Sequence, residues 1–244
     1  MSADRPIGLS FGRVAELYDR VRPDYSQQSL DRAQEALELD STAHVLDLAA
    51  GTGRLTQELA RRFEHVVAVE PDDAMRRHIA AGDVLAGTAE DIPLPSESVD
   101  AVFVGEAFHW FDATRAVPEV ARVLRPRGGV ALFSNLWWET EPPLPQPAAD
   151  LLRAPYVASG RADAVETWRD VFEQSPFEPL RDETFAAEKI VDAELLLAMY
   201  ETTSSLAALS ARERRELTGK VRPLLLPTYR LPIRVELTWT RLPV

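Results

Sequence analysis

The chain has 244 residues, 45% of them hydrophobic, which suits one domain with an elaboration and allows a full core. A formal net charge of -12, with no Lys/Arg run of useful length, disfavours nucleic acid as a partner, because an acidic surface repels phosphates. The lack of cysteine excludes disulfides, thiolate metal sites and cysteine nucleophiles. Phe11 to Arg20 reads as a short helix with Phe11, Val14, Ala15, Leu17 and Tyr18 on one side. Arg22-Pro23-Asp24-Tyr25 breaks it, and Ser29 to Leu39 reads as a second helix.

From His44 onward, strand and helix patterns alternate. Strands are expected at His44–Leu48, His65–Glu70, Asp83–Ala86, Asp100–Val104 and Val130–Asn135. Helices are expected at Arg54–Arg62, Asp72–Ala81 and Thr114–Leu124, with Pro118 tolerated only in a first turn. Gly87–Ser98 reads as a loop, and Arg125–Gly129 as a turn. The alternation predicts a parallel sheet with helices on both faces. Glu139–Pro147 is proline-rich and loop-like, Gln146–Ser159 and Arg161–Phe172 look helical, and Leu180–Ile190 is a candidate sixth strand. Asp192–Thr202 reads as a helix, and Ser210-Ala211-Arg212-Glu213 is a capping box opening another. Leu231–Leu242 alternates apolar and polar residues as a strand does. The first residues show no apolar segment typical of a secretory signal, and no run of about 18 apolar residues suggests a membrane span. A soluble, cytoplasmic protein is the expectation.

The run His44–Leu55 carries the strongest functional signal. An apolar strand feeds a turn with Gly51 and Gly53, and a helix follows. Such a junction brings backbone N–H groups and a positive helix end to one point, suited to a nucleotide-like cofactor or its carboxylate. The second strand ends in Glu70, on the order of 20 residues later, where an acid is expected to hold ribose hydroxyls. The dinucleotide fingerprint fits poorly, since its third small residue falls on Thr56 or Arg54. Asp47-x-x-x-Gly51-x-Gly53 instead resembles motif I of the class I S-adenosylmethionine-dependent methyltransferases, with Ala49 where that family often has another glycine. Asp47 would anchor the loop or meet the cofactor amine through a water. Pro71 and Met75, just past Glu70, join the expected cofactor set together with Ala49, Gly51 and Gly53.

Gly87-Thr88-Ala89-Glu90-Asp91-Ile92-Pro93-Leu94 resembles the segment of small-molecule methyltransferases that faces adenine. The backbone of Ala89 and Glu90 would read the ring edge, and either Glu90 or Asp91 would accept from the exocyclic amine. Gly105-Glu106-Ala107-Phe108-His109-Trp110-Phe111-Asp112 follows the fourth strand, at the carboxyl edge where open α/β sheets bind ligands. Its aromatics either line a cavity beside the sulfonium or pack in the core. His109 is either a base or a structural histidine, and a neutral imidazole is well tuned for the former. Glu106 and Phe108 complete the expected cofactor residues. No histidine pair has metal-ligand spacing, so no metal is expected.

The Phe-His-Trp-Phe segment, with Glu90, Gly53 and the Arg122–Gly129 turn, resembles the methyltransferase type 11 group that includes trans-aconitate methyltransferase-like proteins. The N-terminal Phe11, Ala15, Tyr18, Arg22-Pro23 and Tyr25 pattern is similar to that branch too, where the segment closes over the active site. Glu106 stands where the branch often has Gln, which adds negative charge near the pocket. The resemblance implies a Rossmann-like, doubly wound, seven-stranded α/β sheet, mostly parallel with an antiparallel last strand. It implies N-terminal lid helices over 1–40, a cofactor-binding core over 41–136, and a substrate-side insertion with the completing strands over 137–244, all in one domain. It further implies S-adenosylmethionine as cofactor and a small molecule as methyl acceptor. A carboxylate acceptor needs an arginine, for which Arg13, Arg20 and Arg22 are candidates alongside Tyr18 and Tyr25. A hydroxyl, amine or carbon acid needs a base, for which His109 is the first choice. Tyr18, Arg22 and His109 are therefore the expected catalytic residues. The competing reading is a non-catalytic cofactor-binding or protein-interaction module on the same fold. Oligomeric state leaves no trace in the sequence.

Overall fold

The computed structural model describes residues 15–22, 25–136, 144–158 and 168–243. Its seven-stranded sheet contains β1 (His44–Leu48), β2 (His65–Val69), β3 (Asp83–Leu85), β4 (Val99–Gly105), β5 (Leu124–Asn135), β6 (Arg181–Asp192) and β7 (Thr228–Arg241), in the order β3-β2-β1-β4-β5-β7-β6. β1 pairs in parallel with β2 and β4, β2 with β3, and β4 with β5. β7 pairs antiparallel with β5, from Gly129↔Arg241 to Asn135↔Val235. The mixed sheet expected from the sequence is therefore the one observed. The helices are α1 (Ala15–Val21), α2 (Gln27–Ala36), α3 (Arg54–Ala60), α4 (Asp73–Arg76), α5 (Ala113–Val123), α6 (Gln146–Ala158), α7 (Trp168–Glu173), α8 (Ala193–Glu201), α9 (Ser204–Ala207) and α10 (Ala211–Val221).

Two compact units partition the chain. One comprises Asp24–Asn135, Glu166–Phe185 and Val235–Val244. Its central strands are apolar because both faces are covered: Val45, Leu46 and Leu48 of β1 and Val102 of β4 have no exposed surface. α5 buries Ala116, Val117, Val120 and Val123, one helical stripe, against Val102, Val104 and Val130. Each buried valine contributes about 1.5–3 kcal/mol relative to exposure. The Asp112 carboxylate caps α5 by accepting from the Thr114 N–H at 3.2 Å.

The other unit comprises Met1–Pro23, Leu136–Val165 and Ala186–Arg234. Its core gathers Ala148, Leu152, Leu197, Leu206 and Val221. Asp192 caps α8 by accepting from the Leu195 N–H at 2.7 Å. The expected capping box opens α10: the Ser210 N–H donates to Glu213 at 2.8 Å, and the Ser210 hydroxyl accepts from the Glu213 N–H at 3.3 Å.

Three expectations are corrected. The helix after β2 spans only Asp73–Arg76 rather than reaching Ala81. The chain must turn under β2, and Gly82 does so at φ 74 with a hypothetical Cβ only 2.7 Å from the Val66 carbonyl oxygen. Pro118 lies in the second turn of α5, not the first. It is exposed, and the helix forgoes one hydrogen bond to the Thr114 carbonyl while its buried stripe holds it in place. β5 begins at Leu124, because the expected Arg125–Gly129 turn is an irregularity within the strand. The register shifts between Val99 and Ala101, and Arg127 sits at φ 68. Phe11, Arg13, Val14 and Pro23, most of the Glu139–Pro147 loop and the start of the Arg161–Phe172 helix lie outside the described residues.

Candidate active site

The β1–α3 turn holds three residues in the left-handed region: Ala49 at φ 59, Gly51 at φ 59 and Gly53 at φ 83. Glycine suits this geometry; Ala49 bears a cost of about 1–2 kcal/mol for its Cβ. The turn is fixed by the Ala50 N–H donating to the Val69 carbonyl at 3.0 Å and the Gly53 N–H to the Ala50 carbonyl at 2.9 Å. Gly53 also forms the N-terminal boundary of α3, and a Cβ there would lie 3.0 Å from Ile79. Met75 is buried beside Gly51, its Cε 3.5 Å from a hypothetical Gly51 Cβ.

Glu70 follows β2 and is 6% exposed. One carboxylate oxygen accepts from the Gly51 N–H and the other from the Asp72 N–H, each at 2.8 Å. An ionised carboxylate has about four acceptor positions, so each oxygen keeps one for a ribose hydroxyl. Burial raises its pKa; the amides of Asp72 and Gly51 work against that rise. Arg76 clamps the same corner, donating to the Glu70 carbonyl at 2.7 Å. Pro71 is exposed beside it.

Asp47 is fully buried. Thr56 donates its hydroxyl to Asp47 Oδ2 at 2.6 Å, while Oδ1 has no hydrogen-bond partner. Burial pushes its pKa up to about 7, opposed by the Thr56 hydrogen bond and helped by the nearby Glu70 charge. The hydroxyl of buried Thr52 is also without a partner.

The Gly87–Leu94 stretch is closed by a bridge between Thr88 and Asp91. Ala89 is buried and Asp91 exposed. Glu90 accepts from the Asp112 N–H at 3.0 Å, which ties this stretch to the segment after β4. Arg122 braces the far side, donating to the carbonyls of Leu94 at 2.8 Å and Ile92 at 2.9 Å.

After β4, Glu106 sits at φ 60, donates its N–H to the Phe133 carbonyl at 2.8 Å, and accepts from the Asn135 N–H. Phe108 is buried, its ring 5.3 Å from Trp168 and 5.4 Å from Phe172, so core packing accounts for it. His109 is exposed on a 3-10 turn, Phe108–Trp110, with its ring 4.8 Å from that of Trp110. A Cβ on Gly105 would lie 2.8 Å from Tyr25 Cζ and closer still to its hydroxyl, so Tyr25 lies directly over the last residue of β4. Tyr18 and Arg22 belong to the other unit. Arg22 lies 4.8 Å over the Tyr18 ring and donates to the Thr202 hydroxyl at 2.9 Å and carbonyl at 2.6 Å, at the C-terminus of α8.

The structure thus brings Asp47, Ala49, Gly51, Gly53, Glu70 and Met75 together, and ties Glu90 to the segment bearing Glu106, Phe108 and His109. Sequence reasoning missed Thr56, the partner of Asp47, and Asn135, the partner of Glu106. An S-adenosyl group fits this corner: a buried carboxylate oxygen awaits a donor at Asp47, and Glu70 offers paired acceptors beside a left-handed backbone. Among the described residues no cluster of three or more His, Cys, Asp or Glu could hold a metal ion, and no helix is long and apolar enough to cross a membrane.

A family model described as methyltransferase domain matches residues 46–132. An uncharacterized methyltransferase of Mycobacterium tuberculosis is 47% identical over 135 residues, 54% of this chain and 54% of that protein. The chain therefore spans about half the length of that relative. An uncharacterized methyltransferase-like protein of Schizosaccharomyces pombe is 30% identical over 209 residues, 84% of this chain and 81% of that protein. A solved Haemonchus contortus phospholethanolamine N-methyltransferase 2, in complex with phosphomonomethylethanolamine and S-adenosylhomocysteine, shares the fold with a TM-score of 0.56 and 14% identity, over 96% of this chain and 57% of that one. A relative aligned over four fifths of both lengths shows what the β1–Glu70 corner belongs to: the chain is a member of the class I S-adenosylmethionine-dependent methyltransferases.

Proposed function

We propose that the protein transfers a methyl group from S-adenosylmethionine to oxygen of a small-molecule acceptor, a carboxylate or a hydroxyl, in the manner of the trans-aconitate methyltransferase-like branch. The observation that carries this is the Glu70 corner: a buried carboxylate held by the Gly51 and Asp72 amides at 2.8 Å, with acceptor capacity left over. When bound, the cofactor supplies a methyl group already activated on a sulfonium. Glu70 would hold the ribose hydroxyls, and Asp47 and the Gly51–Gly53 turn the methionine end. Ala89, with Glu90 or Asp91, would face the adenine, and Pro71 and Met75 would border the same pocket. Glu106 would bound the sulfonium end.

The remaining work of the chain is positioning and water exclusion, which can lower the barrier by on the order of 7–11 kcal/mol. A carboxylate acceptor requires no base, and Tyr18 and Arg22 are our candidates for orienting it. A hydroxyl acceptor requires one, and exposed His109 is the candidate. The reading implies no nucleic acid or membrane partner and a cytoplasmic site of action. To test it, release of S-adenosylhomocysteine is followed with panels of small carboxylates, phenols and alcohols. Turnover on an oxygen acceptor supports the reading. With a hydroxyl acceptor, His109→Ala should reduce kcat at least about tenfold, and a smaller loss would remove the base assignment. Tight cofactor binding with no turnover on any class would favour a non-catalytic module instead.

A further inference from the structure

Asn135 is the last residue of β5 and is only 7% exposed, yet its side-chain oxygen has no hydrogen-bond partner. Buried side-chain polar atoms are nearly always paired, so an unpaired one at a ligand-binding edge points to a ligand. Its place in the sheet locates that ligand. Gly105, the last residue of β4, is in register with Phe133, so Asn135 lies two residues beyond the end of β4 on the carboxyl edge. β5 is two strands from β1, about 10 Å across at ordinary strand spacing, beside rather than within the turn that carries Asp47 and Gly51. Strand alternation puts Asn135 on the face of Phe133, whose ring meets that of Tyr25 at 5.8 Å.

An unpaired amide oxygen is an acceptor, so it suits a ligand group that donates, whereas an ionised carboxylate only accepts and cannot donate to it. Resting on the methyltransferase reading, we infer that Asn135 is a positioning residue for the methyl acceptor, binding a hydroxyl of a neutral molecule through its side-chain oxygen. Of the two acceptor classes proposed above, the hydroxyl is thereby selected.

The test uses the full chain. Titration with S-adenosylhomocysteine comes first: no binding by wild type defeats the cofactor reading itself and is thereby distinguished from failure of this inference. With binding in hand, Asn135→Leu is compared with wild type by cofactor affinity, thermal unfolding and turnover on phenol, benzyl alcohol and benzoate. The inference predicts a cofactor Kd within threefold of wild type and a melting temperature equal to or above wild type, since an unpaired buried oxygen is removed. It predicts that phenol or benzyl alcohol outpaces benzoate, with KM for that alcohol raised at least tenfold in Asn135→Leu. A melting temperature lowered by more than about 3 °C would make Asn135 structural and overturn the inference. So would preference for benzoate, or an unchanged KM in Asn135→Leu. The melting comparison decides even where no member of the panel turns over.

Discussion

Replacing Asp47 with asparagine tests the electrostatics of the site in isolation. Asp47 is fully buried, and its pKa is raised from an ordinary 3.8 to about 7, mainly by burial. A raised acid pKa means that the folded state holds the proton more tightly than the unfolded chain does. The stability from that proton is fully present below pH 3.8 and is lost as pH climbs through 7. At about 1.4 kcal/mol per pKa unit, the whole shift corresponds to about 4 kcal/mol, of which about 2–3 kcal/mol is lost between pH 5 and 8. Asparagine has the same shape and still accepts from the Thr56 hydroxyl, but cannot ionise. Urea unfolding of both proteins at pH 5, 6, 7 and 8, with unchanged m-values, should give profiles that diverge, the Asp47→Asn protein gaining on wild type as pH rises. Glu70, whose pKa is also raised and whose charge helps raise that of Asp47, titrates in both proteins, so the divergence reads Asp47 together with its coupling to Glu70. Parallel pH profiles would refute the argument.

Two further substitutions address the backbone. Ala49 sits at φ 59, so Ala49→Gly should stabilise by about 0.5–1 kcal/mol and Ala49→Val destabilise by more than about 1 kcal/mol in urea melts; a less stable glycine form would contradict the assigned conformation. Gly105→Ala places a methyl against Tyr25 and should cost about 1–3 kcal/mol, most of it recovered by adding Tyr25→Ala; a double-mutant cycle with no coupling would remove the contact.

The cofactor corner was legible because its signals are local. An apolar run sets β1, two glycines set the turn, and an acid after a second apolar run sets Glu70; the contact from Gly51 to Glu70 follows from two adjacent parallel strands. β7 was legible because Leu231, Ile233, Val235, Leu237 and Trp239 alternate with polar residues over a long stretch, as they do in the sheet. The hidden features depend on distant neighbours. Asn135 and Glu106 meet across 29 positions, at the ends of two strands whose register shifts irregularly before they do. The end of α4 was missed because Ala80 and Ala81 favour helix locally, while the chain has left the helix at Arg77 and goes on to pass Val66 closely at Gly82. Phe108 shows the limit of motif reasoning: an aromatic beside a binding edge satisfies the core just as well, and only its contacts with Trp168 and Phe172 tell which.

The central claim is that Glu70 and the turn beside it form an S-adenosyl site. Isothermal titration of wild type and Glu70→Ala with S-adenosylmethionine and S-adenosylhomocysteine, with NAD as control, tests it most directly. Each charge-assisted hydrogen bond to a ribose hydroxyl is worth about 1.5–3 kcal/mol, so losing two should weaken binding at least about a hundredfold. Micromolar binding of both sulfur ligands by wild type, no binding of NAD, and loss in the alanine form are predicted. Absence of binding by wild type, or equal binding by a folded Glu70→Ala protein, would contradict the account.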